Sequence, residues 1–459
     1  MVRRIALFAA GMVASAWFFT PCALAWSDHA LGTYVALSDW PATRRAGLVT
    51  IESIDAFLAR EKEKIPGLLE EEEQWARTHL PFYPATPPEL RFRPTTTDPE
   101  ALRIGLLRAL RLNPDIKFPL FLQQLPGVGT HGLAALSWRQ VTILEEAPDD
   151  GRAQFLDLEG AGPVPVLEVV ASAADEPDYG LDVGLWSDNG TAFGAVYGFG
   201  RQPFGNPLLS YGSQAPFHMG LFHESGLVYR VAPYLRRCLP EMRIHQFLAL
   251  SRFAFATGHP YWGWRFLGWG LHYVQDLSQP YHATALPGVS VPAILGTGFL
   301  DLIGFHGPKT DRVQLVSNRH LALETYGLDA LLEAMRAGLA GSPVLRALSN
   351  TAHDAPFRGY DDRYPRDVIA ALASEKAEHT DRVVASALPH AWVDDPRFVF
   401  DPSKNGINVL AELRQNGDAQ AKVAMDELLC DLMQDFGTHT RRFAGAIVQG
   451  ASDTGSRIR

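Results

Sequence analysis

The segment His272-Tyr-Val-Gln-Asp276-Leu-Ser-Gln-Pro-Tyr-His282 constrains the architecture more than any other stretch of the chain. His272 and Asp276 are four positions apart, and on a helix that spacing puts both side chains on one face, roughly 5–6 Å apart at Cβ. Pro280 ends or kinks such a helix, because its ring clashes with the preceding turn and it has no N–H to donate. The chain must therefore turn, which carries His282 to a neighbouring position. Two imidazoles and a carboxylate brought together in this way are ligand chemistry for zinc, and the two oxygens of Asp276 allow it to bridge two ions.

A second pair, His320-Leu-Ala-Leu-Glu324, repeats the spacing and the ligand types. Taken singly, either pair reads equally well as a surface His–carboxylate contact on a solvated helix. Both together, with His282, favour a metal centre. The other histidines read differently. His259 precedes Pro260 and is expected in a turn, and His245, Phe247, Phe253 and Trp264 are expected on core faces.

At the N-terminus, Arg3 and Arg4 precede an apolar run from Ile5 to Phe19, and Ala23-Leu24-Ala25 follows. This pattern predicts a signal peptide over residues 1–25 and a secreted or periplasmic protein. Pro21 before Cys22 argues against lipidation. Cleavage after Ala25 would make Trp26 the first residue. A free α-amino group has a pKa of about 8, so zinc can displace its proton near neutrality. The amine and carbonyl of Trp26 can then chelate an ion, with His29 adding a ligand. On its own, the segment reads as an ordinary exposed terminus.

An N-terminal Trp after cleavage, a nearby His, then H-x3-D-x5-H and H-x3-E in that order resembles the zinc-dependent phospholipase C family. That family also takes in single-strand nucleases with the same three-zinc site, usually with Asp in place of Glu in the last pair. The resemblance implies a mainly α, multi-helix domain over 26–450. It also implies two further ligands between His29 and His272. For the Asp, Asp178 after Pro177 is favoured, with Asp175 and Asp182 as alternatives. For the His, His218 is favoured over His223. One zinc would take Asp178, His218, His272 and Asp276. A second would take His282, His320 and Glu324, and a third Trp26, His29 and the bridging Asp276. Asp178 would also orient or deprotonate the attacking water. The chain departs from the family in a shorter Trp26–His29 gap and a longer Asp178–His218 gap. About 60–170 is an insertion by this comparison.

The chain has 459 residues, 47% of them hydrophobic, enough for a large core, and a net charge of −10. That balance argues against gripping a nucleic acid backbone, which calls for a basic footprint. After cleavage Cys238 and Cys430 remain. They could form one disulfide in an oxidising compartment or stay as buried thiols. Residues 81–99 read as an irregular connector and 103–112 as a helix. The acidic run 70–73 reads as a solvated helix face, 180–216 as a loop-rich segment lining the site mouth, and 451–459 as a flexible tail. The apolar stretch 289–305 is too short and broken to span a membrane. Burial is the favoured reading for it, and contact with a membrane surface the other.

These readings favour a monomeric hydrolase of phospholipids or other phosphodiesters carrying about three zinc ions. A single-strand nuclease using aromatics of 186–217 to stack bases is the alternative. A non-catalytic, zinc-stabilised surface protein is the third.

Overall fold

The segment Pro260–Asp276 forms one helix in which every residue after Pro260 is buried. Pro260 sits in its first turn, where a missing N–H costs nothing. The sequence is apolar or aromatic around the whole circumference, as a helix enclosed by others requires. It packs against the helices Pro240–Ala256, Val166–Asp175 and Ala419–Arg457. In the computed structural model the described residues are 29–457, apart from 145–153, 207, 208, 210, 303, 339–340, 402–405 and 418. The expected signal peptide and Trp26 lie outside them.

Close packing around this central helix depends on glycine. A Cβ on Gly268 would lie 2.5 Å from Ala173 Cβ and 2.7 Å from the Val170 carbonyl oxygen. The obstacle is therefore partly backbone and cannot swing aside. The helix Val166–Asp175 that crosses here leads directly into the turn carrying Asp178.

Past Asp276 the chain turns as Pro280 dictates. Gln279 caps the one-turn helix Pro280–Ala283 by accepting from the Tyr281 N–H. His320 and Glu324 lie on the 30-residue helix Gly307–Arg336. The first described helix, His29–Leu37, packs against Val166–Asp175 and the last helix, Ala419–Arg457. Two large apolar cores result. Phe266, Trp269 and Tyr273 of the central helix belong to one. Leu321, Leu323 and Tyr326 of the long helix belong to the other, with Leu432 and Phe436 of the last helix. His272 and Asp276 issue from the first core and His320 and Glu324 from the second, so the site lies where the two meet.

The mainly helical fold agrees with the sequence reading, and several local expectations are corrected. Residues 60–170, an insertion by the family comparison, are built into the core. They hold the helices Ile65–His79 and Pro99–Ala109 and a three-stranded antiparallel sheet, with Phe155–Asp157 between Phe121–Gln123 and Ala135–Leu136. Leu106, Leu122 and Leu156 join the same core as Trp269. The helix expected over 103–112 starts earlier, where Asp98 caps Ala101 N–H. It ends earlier too, because Arg111 takes a left-handed φ of 51°. The acidic run is half-covered rather than fully solvated: Glu72 bonds His245 and Glu73 bonds Tyr83. His245 is half-buried rather than core, its ring stacked 3.5 Å from Trp75. His259, expected as a turn residue, is a buried cap residue between Glu52 and Glu61. Cys238 and Cys430 are free thiols in different clusters. The last helix continues to Arg457 through the stretch expected as a tail. The apolar 289–305 stretch is a helix, Val291–Leu302, and it is not buried: Leu300 and Phe305 face solvent. No described helix is long and apolar enough to cross a membrane.

Replacing Gly268 with Ala should destabilise the protein by about 1–3 kcal/mol, the usual cost of overpacking a close contact. Urea unfolding measures this, and an unchanged midpoint would show that the helices separate without penalty.

Candidate metal centre

His272 presents one defined nitrogen to the site. Its Nδ1 lies 2.8 Å from the Ala174 carbonyl oxygen, which can only accept, so Nδ1 carries the proton and Nε2 the lone pair. That Nε2 is 3.0 Å from His218 Nδ1, 3.3 Å from Asp276 Oδ2 and 3.7 Å from Asp178 Oδ1. His218 ends the short helix Ala215–His218, and its Nδ1 approaches Asp276 Oδ2 to 2.7 Å and Asp178 Oδ1 to 4.0 Å. Asp178 sits in the 3-10 turn Glu176–Tyr179, steadied by a hydrogen bond from Gln214 Nε2 at 3.1 Å.

The other oxygen of Asp276 faces two more imidazoles. His29 Nε2 is 3.4 Å from Oδ1, and His282 Nδ1 is 3.5 Å from it. All three atoms are buried and none has a hydrogen-bond partner. Buried polar atoms left in this condition are costly. Around a tetrahedral zinc with bonds of about 2.0–2.1 Å, neighbouring donor atoms stand roughly 3.4 Å apart. The spacing of these orphaned atoms is that of donors around a cation, too long for hydrogen bonds between them. The donor set fits a divalent metal.

A third group lies beyond. His320 Nε2 is 2.6 Å from Glu324 Oε1, and His282 Nε2 is 3.1 Å from His320 Nε2 and 4.0 Å from Glu324 Oε1. Gln279 Nε2 donates to the same glutamate oxygen at 3.2 Å. His282 thus stands between groups, with one nitrogen toward Asp276 and the other toward His320. Among the described residues, three sets could hold a metal ion: His29, His272 and Asp276; Asp178, His218 and His272; His282, His320 and Glu324. His320 is their only half-buried member; the other residues are buried.

The electrostatics are those of carboxylates compressed against imidazoles. Burial opposes a charge on His29, yet the Asp276 carboxylate beside it, with Asp178 and Asp175 behind, raises its pKa to about 9. Burial likewise opposes a charge on His218, but Asp182, Asp276 and Asp178 raise it to about 10. His282 is pushed down to about 4 by burial, with the His320 charge adding to the effect and Asp276 opposing it. Burial would also raise Asp276, but the imidazoles around it hold it well below the ordinary carboxylate range.

Asp178 and His218 enter these groups; the alternatives do not. Asp175 Oδ1 accepts from the Ala30 N–H at 2.9 Å, anchoring the first helix beside His29. Asp182 stands behind His218, with its Oδ2 3.4 Å from Nε2, and is held by Arg243 Nη2 at 2.7 Å and the Tyr273 hydroxyl at 2.6 Å. His223 is exposed and reaches the Arg366 carbonyl instead. Of the aromatics in 186–217, Trp186, Tyr197, Phe199 and Phe217 are buried in the core, while Phe193 and Phe204 are half-buried.

Sequence reasoning missed Gln275. Its Oε1 accepts from His29 Nδ1 at 2.8 Å, while its Nε2 donates to Thr33 Oγ1 at 2.7 Å and Thr440 Oγ1 at 3.0 Å. With the amide oxygen on Nδ1–H, Nε2 is the nitrogen of His29 left to face Asp276 and to take a metal once its own proton is released. The signal available in the sequence was a polar side chain beside Asp276 in an otherwise apolar helix. No protein-family model, curated protein or solved structure matches this chain.

Gln275→Leu should weaken metal binding about 10–100-fold, the usual loss when the group orienting a ligand histidine is removed. Chelator competition measures it, and an unchanged affinity would sink the orienting role. Metal uptake should also release protons at pH 7. His29 and His218 hold theirs with pKa values near 9 and 10 in the metal-free protein and must give them up to bind. Calorimetry in buffers of different ionisation enthalpy reads the count; zero release would contradict this electrostatic picture. Both pKa values are raised above the ordinary histidine value of 6.5, so in metal-free protein their stabilisation is complete below about pH 6.5 and fades as pH rises toward 9–10.

Proposed function

We propose that the chain is an exported, zinc-dependent phosphodiesterase of the phospholipase C type that hydrolyses phospholipids. One observation carries the reading: three groups of donors are joined through His272, Asp276 and His282, with unpartnered buried atoms His29 Nε2, Asp276 Oδ1 and His282 Nδ1 at their centre. Asp178, His218, His272 and Asp276 would hold one zinc, and His282, His320 and Glu324 a second. His29 and Asp276 would hold a third, with the amine and carbonyl of Trp26 once residues 1–25 are removed. Zinc in such a site supplies an acidified water near neutral pH and positive charge for phosphodiester oxygens.

The residues around it do the rest. Asp178 orients the water that attacks phosphorus, and its carboxylate is fixed by Gln214. Asp276 balances charge on both sides through its two oxygens. The glycerol oxygen leaves, giving diacylglycerol and a phosphorylated headgroup. Substrate reaches the centre from the side of half-buried His320. The lipid reading is preferred over the nuclease because four of the expected stacking aromatics, Trp186, Tyr197, Phe199 and Phe217, are in the core, and the net charge of −10 repels a long polyanion.

The test uses protein cleaved after Ala25 and supplied with zinc. Phosphatidylcholine and a soluble phosphodiester dye should be hydrolysed, single-stranded DNA more slowly, and elemental analysis should find about three zinc ions. Faster cleavage of DNA would overturn the lipid assignment, and zinc-free protein would overturn the centre. Asp276→Asn should lower turnover at least about a thousandfold, on the order of 4 kcal/mol in the barrier. Near-normal turnover in that variant would show that no shared ligand exists at this position.

A further inference from the structure

Beside the metal centre lies a small apolar cluster that is separate from the two large cores. Leu221, Val228, Ala232, Leu235 and Cys238 are its buried members, with Met219, Phe222, Tyr229, Ala285 and Ile294 among those packed against it. Met219 follows His218 in the chain, and the Gly220 N–H donates to the His282 carbonyl at 2.8 Å. The cluster is thus fixed to two residues of the metal groups. Above it, the helices Gly226–Val231 and Val291–Leu302 pack together, and a Cβ added at Gly298 would be in van der Waals contact with Val231, at 3.6 Å.

The outer side of this pair is apolar. Leu227 is 48% exposed, Val231 42%, Leu300 37% and Phe305 64%. Four of the protein's nine large exposed hydrophobic side chains among the described residues are therefore on these two helices and the turn after them. Cations border them. Arg230 is exposed within the first helix, and Arg236 lies 4.3 Å over the Tyr229 ring. Neither has an acidic partner among the described residues. Lys309 reaches the Tyr234 ring at 5.5 Å, and it neutralises Asp301, the carboxylate of the second helix, at 2.9 Å.

We propose that this face docks the protein onto an anionic phospholipid bilayer. Apolar side chains that project beside unpaired arginines are what an interfacial surface presents: the former enter the acyl boundary and the latter meet lipid phosphates. The local charge runs against the net charge of −10, so this patch is attracted to an anionic surface while the rest of the molecule is repelled. The inference rests on the phospholipid reading of the metal centre for its choice of partner, but docking itself needs no turnover.

Vesicle flotation of the full protein tests it, with phosphatidylcholine alone and with phosphatidylcholine containing phosphatidylserine. Binding should favour the anionic vesicles and fall as salt is raised. The triple variant Leu227→Ser, Val231→Ser, Phe305→Ser should lower that binding about tenfold or more, and so should Arg230→Glu with Arg236→Glu. Both variants should keep the wild-type melting temperature and cleave the soluble phosphodiester dye as wild type does. Undiminished flotation by both folded variants overturns the docking face, as does wild-type protein that ignores all vesicles. Protein that instead dimerises through this face, with sedimentation altered by the triple variant, also overturns it. Protein that floats as expected yet cleaves no lipid leaves the docking face standing and sinks the phospholipase reading instead.

Discussion

Asp276 is a carboxylate wholly removed from solvent, with imidazoles on both oxygens. His218 and His272 approach Oδ2, and His29 and His282 approach Oδ1. A buried charge is tolerated only when it is matched closely and its remaining lone pairs are satisfied. That requirement brings together side chains from across the chain. The first helix, the turn after Val166–Asp175, the central helix and the Pro280 turn must all reach one carboxylate. The glycine contact at Gly268 and the junction of two apolar cores allow them to do so.

Around the donor atoms stands a layer of fixed hydrogen-bonding partners. The Ala174 carbonyl sets His272, the Gln275 amide sets His29, and Asp182, held by Arg243 and Tyr273, backs His218. Each is buried and each limits one ring to one orientation. Such preorganisation keeps ligand atoms in place before an ion arrives, so less ordering is left for the binding event.

The helical parts of the centre could be read in the sequence because a four-residue spacing and a proline have direct geometric consequences. His272–Asp276, His320–Glu324 and the turn at Pro280 all lie where those rules put them. Asp175, Asp178 and Asp182 could not be separated in that way. Which of them faces the histidines depends on Arg243, more than sixty residues distant in the chain, which draws Asp182 to the rear. Local pattern also misjudged residues whose surroundings come from remote elements. His245 met Trp75 and left the core, while Trp186 and Phe217 met each other inside it. The segment 60–170 gave little periodic signal because its strands are two or three residues long. Helix Val291–Leu302 is apolar enough to suggest burial, and only its position at the edge of a small cluster leaves it facing water.

The Gln275 amide also bears on the order in which the protein folds. Its partners Thr33 and Thr440 are 242 and 165 residues away in sequence, and His29 is 246 away. Contacts of such separation form late, because loop closure must be achieved before they give any return. The central helix can collapse against its immediate neighbours early, but its amide finds all its partners only after both the first and the last described helices have docked. The centre is therefore completed by the two ends of the described chain, and a partly folded molecule has a core without a finished site.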